Sequence, residues 1–167
     1  MRFDKFTTKF QEAVSDAQSI AVGNDNQFIE PLHLLKALLD QQEGGTASLL
    51  GRAGANVQPL RMALNKSIER LPKVEGHGGD VSLSRDFNNL LNLTDKEAQK
   101  RGDQFIASEM FLLALAKDKG EAGRLLKEHG VVPAHLEQAV LAVRGGESVQ
   151  NQEAEGQREA LKNTRWI

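Results

Sequence analysis

The chain repeats itself, and that limits its architecture more than any single element does. The segment Ala21-Val22-Gly23-Asn24-Asp25-Asn26-Gln27-Phe28-Ile29 returns as Ala98-Gln99-Lys100-Arg101-Gly102-Asp103-Gln104-Phe105-Ile106, an offset of 77 residues from Phe28 to Phe105. In the same register Phe10 meets Phe87, Val14 meets Leu91, Leu35 meets Leu112 and Leu38 meets Leu115. One deletion in the following loop shortens the offset to 76, after which Leu49, Leu50, Gly54 and Leu60 meet Leu125, Leu126, Gly130 and Leu136. Two copies of one unit, each with an apolar face it cannot bury alone, are expected to pack against one another about a pseudo-twofold axis.

Each copy reads as four helices. Phe6, Phe10, Ala13, Val14, Ala17 and Ala21 recur at the spacing of one helical face and predict a first helix over about 8–22, with Thr8 and Gln11 in a capping-box pattern at its start. Its counterpart over about 86–100 carries Phe87, Leu90, Leu91, Thr94 and Ala98 behind Ser84, a capping residue. The second helices start at Pro31 and Ser108, two chemically different start signals at equivalent places. Short third helices over 47–52 and 121–128 close at Gly54 and Gly130, where a left-handed residue is easy for glycine. The fourth run over 57–70 and 133–144, and no period-two run of β-branched residues predicts a strand. The expectation is an all-α domain of two four-helix repeats, residues 1–71 and 82–146, joined by a linker over 72–81. After Gly145-Gly146 the composition turns polar, and 147–167 reads as a linker or disordered tail.

Composition narrows the function. With 21 Lys and Arg against 23 Asp and Glu, the net charge is -2 and no broad positive field exists to attract nucleic acid or an anionic membrane. The absence of cysteine excludes disulfides, thiolate catalysis and Cys-based zinc sites. The start Met1-Arg2-Phe3-Asp4-Lys5-Phe6 alternates apolar and charged residues, which is unlike a signal peptide and predicts a cytoplasmic protein. His33, His77, His129 and His135 lack metal-ligand spacing and read as surface or capping residues. No Gly-x-Ser-x-Gly elbow occurs, and Gly76-His77-Gly78-Gly79 follows a proline-bearing linker, so it reads as a connector. No Gly-x-x-x-x-Gly-Lys-Ser/Thr loop is present either, so no enzyme or nucleotide site is assigned to these residues.

The repeated Gln-Phe-Ile followed by a Leu/Ala-rich helix, with Glu30-Pro31-Leu32-His33-Leu34-Leu35 in the first copy, resembles the double Clp N-terminal repeat. Phe3-Asp4-Lys5-Phe6-Thr7, Leu71-Pro72-Lys73-Val74-Glu75-Gly76 and Arg144-Gly145-Gly146-Glu147-Ser148-Val149 resemble the branch of protein disaggregases; Asn163-Thr164-Arg165-Trp166-Ile167 departs from the pattern. The resemblance implies a substrate-engaging domain that captures unfolded or aggregated polypeptide for ATPase modules of the same full-length chain. Those modules would bring the ATP, the Mg and the hexamer; this domain itself would be a monomer with no cofactor. An adaptor-docking platform is the alternative, and it requires a polar, shape-specific surface.

Candidate site residues follow. Helical arithmetic puts Leu93 about 120° from the centre of its helix's core stripe and Met110 about 160° from Leu112, so both are expected to face solvent partly. Their partners in the first repeat are Asp16 and His33, both polar, so the second repeat alone would offer an apolar pair to a polypeptide. Thr7, Asp103 and Glu109 match polar positions that the family implicates in chaperone function. Each also has an architectural reading, as N-cap, turn residue and first-turn carboxylate.

Overall fold

The computed structural model describes residues 3–75 and 80–158. A 3-10 turn at Phe3–Lys5 leads into α1 (Thr8–Gly23), β1 (Phe28–Ile29), α2 (Pro31–Asp40), α3 (Thr46–Arg52) and α4 (Val57–Glu69). The second copy follows as β2 (Ser82–Leu83), α5 (Arg85–Lys100), α6 (Ser108–Ala116), α7 (Glu121–Glu128) and α8 (Pro133–Arg144). The fold is all-α apart from these two-residue strands. They are too short to leave an alternating pattern, which is why the sequence showed none.

Those strands join the repeats by exchange. β1 of the first repeat pairs in parallel with β2 of the second, Ile29 opposite Leu83, while Phe6 of the first bridges Ile106 of the second. The hydrogen bonds are equivalent: Thr7 N–H donates to the Ile106 carbonyl at 3.0 Å, and Ser84 N–H donates to the Ile29 carbonyl at 3.1 Å. The Gln-Phe-Ile motif is thus the edge each repeat offers to its partner. One residue beyond each pairing lies an N-cap. Thr7 Oγ1 accepts from Phe10 N–H at 3.2 Å and Ser84 Oγ accepts from Phe87 N–H at 3.1 Å. Thr7, and not Thr8, therefore caps α1, while Gln11 reaches back to the carbonyls of Phe3 and Phe6.

A single apolar core runs through both copies. Its aromatic spine passes from Phe6 to Phe10 (ring centroids 4.6 Å apart), on to Phe111 (6.1 Å) and then to Phe87 (6.3 Å). Across the pseudo-twofold, Gly54 and Gly130 meet back to back, both with positive φ (+106° and +99°). A Cβ on Gly54 would lie 2.7 Å from the Gly130 carbonyl oxygen, and one on Gly130 would lie 2.4 Å from that of Gly54. Beside them Asn56 N–H donates to the His129 carbonyl at 3.0 Å. The two glycines are needed for contact between repeats as well as for ending a helix.

Three expectations change. Met110 is fully buried, because every residue of α6 from Ser108 to Leu115 is buried and a helix covered all round has no solvent face for angular phase to find. The exposed apolar pair is therefore absent; Leu93 alone is exposed, at 46%. His33, expected at the surface or in a cap, is a capping residue but fully buried. Residues 147–158 are not a loose tail. Val149 is buried, Thr8 N–H donates to the Gln152 carbonyl at 2.9 Å, and Gln104 N–H donates to that of Val149 at 2.8 Å. The Gly76–Gly79 connector, with His77, lies outside the described residues, as do residues 159–167.

Replacing Gly54 or Gly130 by Ala is expected to cost about 2–4 kcal/mol through strain and displacement of the facing backbone, read as a lower midpoint in urea unfolding. Gly51→Ala, with open space at its Cβ, is the control that leaves the midpoint unchanged or higher.

Candidate functional site

The same corner is built twice with different chemistry. In the first repeat it is neutral. Glu30 N–H donates to His33 Nδ1 at 2.8 Å, so the ring carries its proton on Nε2, which donates to Asn26 Oδ1 at 2.8 Å. Asn26 Nδ2 in turn donates to the Pro72 carbonyl at 3.2 Å, fixing the chain as it leaves α4. Burial lowers the His33 pKa to about 4, since a proton on Nδ1 would face an N–H donor in an apolar interior.

At the 77-residue offset Asn26 becomes Asp103 and His33 becomes Met110. Met110 cannot answer a polar partner, and Arg144 at the end of α8 does so instead. Arg144 Nη1 and Nη2 each donate to the Asp103 carboxylate at 2.8 Å, and Nε donates to Glu109 Oε2 at 2.9 Å. Arg158 closes the set with bonds of 3.0 Å to both oxygens of Glu109. Burial pushes the Glu109 carboxyl up, but the Arg158 and Arg144 guanidiniums more than reverse this and leave it below the usual carboxylate range. Burial acts against the charge of Arg144, and Asp103 and Glu109 more than restore it.

The chain beyond α8 crosses this corner. Val149 N–H donates to Asp103 Oδ1 at 2.9 Å, and Glu155 Oε1 accepts from Ser108 N–H at 2.9 Å and from the Thr7 hydroxyl. Glu155 thus caps α6, whose own N-cap, Ala107, has no side chain to do so. Burial, and then the nearby Glu109 carboxylate, push the Glu155 carboxyl up. The three sequence-predicted polar residues Thr7, Asp103 and Glu109 therefore share one network with Arg144, Glu155 and Arg158. Those last three were missed. Their signal was the repeat itself, because the offset of 76 carried past Gly146 sets Val149 against Lys73 of the first repeat's returning chain.

Between the repeats lies a groove of about 750 Å³. Leu49 of α3, Leu112 of α6, and Val140 and Val143 of α8 supply apolar lining; Glu109, Glu155 and Arg158 bring the ionic network to it, and Lys9, Glu43 and Arg52 add further charges. Val143 is 43% exposed and available to a ligand; Leu93 on α5 and the buried Met110 are not among the lining residues. Among the described residues no group of His, Cys, Asp or Glu could hold a metal ion, and no helix is long and apolar enough to cross a membrane.

A pair of four-helix repeats with exchanged edges and a groove between them defines a class. The family described as the Clp repeat (R) N-terminal domain matches residues 5–129, and the chain belongs to it. More narrowly, the chain is 50% identical over 162 residues to the chaperone protein ClpB of Vibrio cholerae, a match covering 97% of this chain and 19% of that protein. It is 47% identical over 161 residues to ClpB of Pseudomonas putida, covering 96% and 19% respectively. It is similar to the N-terminal regions of these chaperones and spans about a fifth of their length. The Hsp104 N-terminal domain from Candida albicans superposes with a TM-score of 0.79 at 21% identity, covering 90% of this chain and 99% of that one. The N-domain of ClpV from Vibrio cholerae gives 0.70 at 18%, covering 83% and 84%. At such identities these two share the fold.

Two outcomes follow from the corners. Arg144→Met leaves Asp103 and Glu109 short of their buried partner and is expected to cost about 3–5 kcal/mol in urea unfolding, whereas Leu93→Gln stays within about 0.5 kcal/mol. In the neutral corner, the unfolded chain takes up a proton on His33 at pH 6.5 and the folded one only near pH 4. Stability from this group is present above pH 6.5 and is lost as pH falls through that window, by up to about 3 kcal/mol. His33→Met is expected to flatten that step in a series of melting curves, at a cost near neutral pH of about 1–3 kcal/mol for the unpaired Asn26 and Glu30 groups.

Proposed function

We propose that this domain engages unfolded or aggregated polypeptide for a ClpB-type chaperone, without catalysis of its own, and that the inter-repeat groove is where it does so. The observation that carries this reading is the groove's make-up: apolar lining from Leu49, Leu112, Val140 and Val143, open to solvent at Val143, among charged side chains of both signs. Such a surface suits apolar segments of varied sequence, held weakly. In the full-length relatives the bound segment would pass to ATP-driven modules of the same chain, for disaggregation of stress-denatured protein in the cytoplasm. Leu93, exposed on α5 outside the groove, is proposed as a lesser second contact.

The test is binding of a fluorescently labelled, permanently unfolded polypeptide. Val143→Gln removes an exposed apolar anchor, so it is expected to weaken binding about three- to tenfold, the effect of roughly 1 kcal/mol, while changing stability by less than about 0.5 kcal/mol. Leu93→Gln is expected to weaken it less. Unaltered binding in Val143→Gln would remove the groove from the reading and favour the adaptor-docking alternative.

A further inference from the structure

Residues 147–158 lie across one end of the groove, and the bonds that hold them there are of an unusual kind. Along this stretch a single apolar side chain, Val149, is deeply buried; the remaining anchors are polar or charged. Glu155 and Arg158 line the groove themselves, so the space a polypeptide would enter is bounded at that end by the chain's own segment.

Beneath Glu155 the α6 N-terminus shows that the fit is incomplete. Ser108 is only 4% exposed and lines the groove; the Glu155 carboxyl is beside its hydroxyl, but no partner among the described residues meets that hydroxyl at good hydrogen-bond geometry. A buried hydroxyl matched this poorly is uncommon, and another ligand atom could satisfy it better. The charges tell the same way. Glu155 comes close to Glu109, and the two like charges repel.

We infer that residues 147–158 form a removable strap, and that polypeptide entering the groove competes with the strap's Glu155 and Arg158 for the Ser108 amide and hydroxyl and for Glu109. The segment that competes best carries a carboxylate and, one helical turn later, an arginine, the spacing of Glu155 and Arg158 on the strap's own helical turn. This deepens the reading of the groove as a polypeptide site and rests on it.

The strap-released variant Glu155→Gln/Arg158→Gln tests this in the full chain, with Val149→Asp as an independent release at the strap's other end. If the strap covers the groove about nine-tenths of the time, releasing it raises apparent affinity for the labelled unfolded polypeptide about tenfold, because the competent fraction no longer limits binding. A synthetic peptide of residues 147–158 is expected to compete that polypeptide off the released variants, and the same peptide with Gln at positions 155 and 158 is not. Amide exchange at Ser108 and Val149 is expected to accelerate when polypeptide binds the unaltered chain. Equal affinity in both released variants and the unaltered chain, or failure of the strap peptide to compete, overturns the strap and leaves the groove reading in place. Polypeptide binding to neither form, with the labelled strap peptide still binding the released variants, overturns both, since the strap would then be a self-contact with nothing to regulate.

Discussion

The rest of the molecule depends on the exchange of edges between repeats. A two-residue strand has almost no stability alone, yet β1 of one copy pairs with β2 of the other and Phe6 bridges Ile106, so the segment leading into each first helix is held by the opposite repeat. The backbone bond from Thr7 to Ile106 sets where α1 is capped and brings Thr7 beside the start of α6. The equivalent bond from Ser84 to Ile29 does the same for α5. Register between the copies is therefore fixed at both ends of the pseudo-twofold, and the Phe6, Phe10, Phe111 and Phe87 rings can pack as one spine instead of two. At the axis, two facing glycines let the backbones approach where any side chain would separate them.

Symmetry of backbone with asymmetry of side chain is what gives the domain a functional end. The first repeat fills its corner with Asn26 and His33, both satisfied and both neutral. The second puts Asp103 and Met110 there, which removes the local partner and draws in Arg144 from α8 and Arg158 from beyond it. A charged corner demands counter-charges; one comes from the last residue of α8 and the other from the chain that follows it. The groove thus meets a buried ionic network at Glu109, Glu155 and Arg158, and the corner of the first repeat has no buried equivalent.

Most of this architecture was legible in the sequence because repetition doubles each signal. The bounds of α7 and α8, the starts of α2 and α6 and the glycines at 54 and 130 all follow from one register plus capping chemistry. Met110 was misplaced for a reason worth stating physically: an angle of about 160° from Leu112 means exposure only if the helix has a dry side and a wet side, and α6 has eight consecutive buried residues. Composition misled at 147–158 as well. A polar stretch is a poor builder of cores, but Glu155 is held by the Ser108 amide and the Thr7 hydroxyl and Arg158 by the Glu109 carboxylate, all from distant elements, and polarity counts say nothing of such partners. Thr7, Asp103 and Glu109 were visible as candidates, though their common network was not, since it is completed by residues 35 to 148 positions away from them.

The ionic corner is a costly way to hold a chain in place. Two carboxylates and a guanidinium below about a tenth exposure lose hydration that their mutual attraction only roughly repays, and apolar substitutes of similar size commonly do as well or better for stability alone. The Asn26–His33 pair of the first repeat shows within the same molecule that the fold does not need buried charges there. Their physical difference lies in release. An apolar contact that opens pays the full cost of wetting its surfaces, whereas charged groups that separate recover hydration, so the free energy between docked and undocked states stays small. A segment anchored by Val149 in apolar terms, by the Arg158 ion pair and by hydrogen bonds to the Glu155 carboxyl suits a well-defined place with low net cost of departure. The same chemistry that makes the corner a weak contributor to stability suits it to a contact that is made and broken.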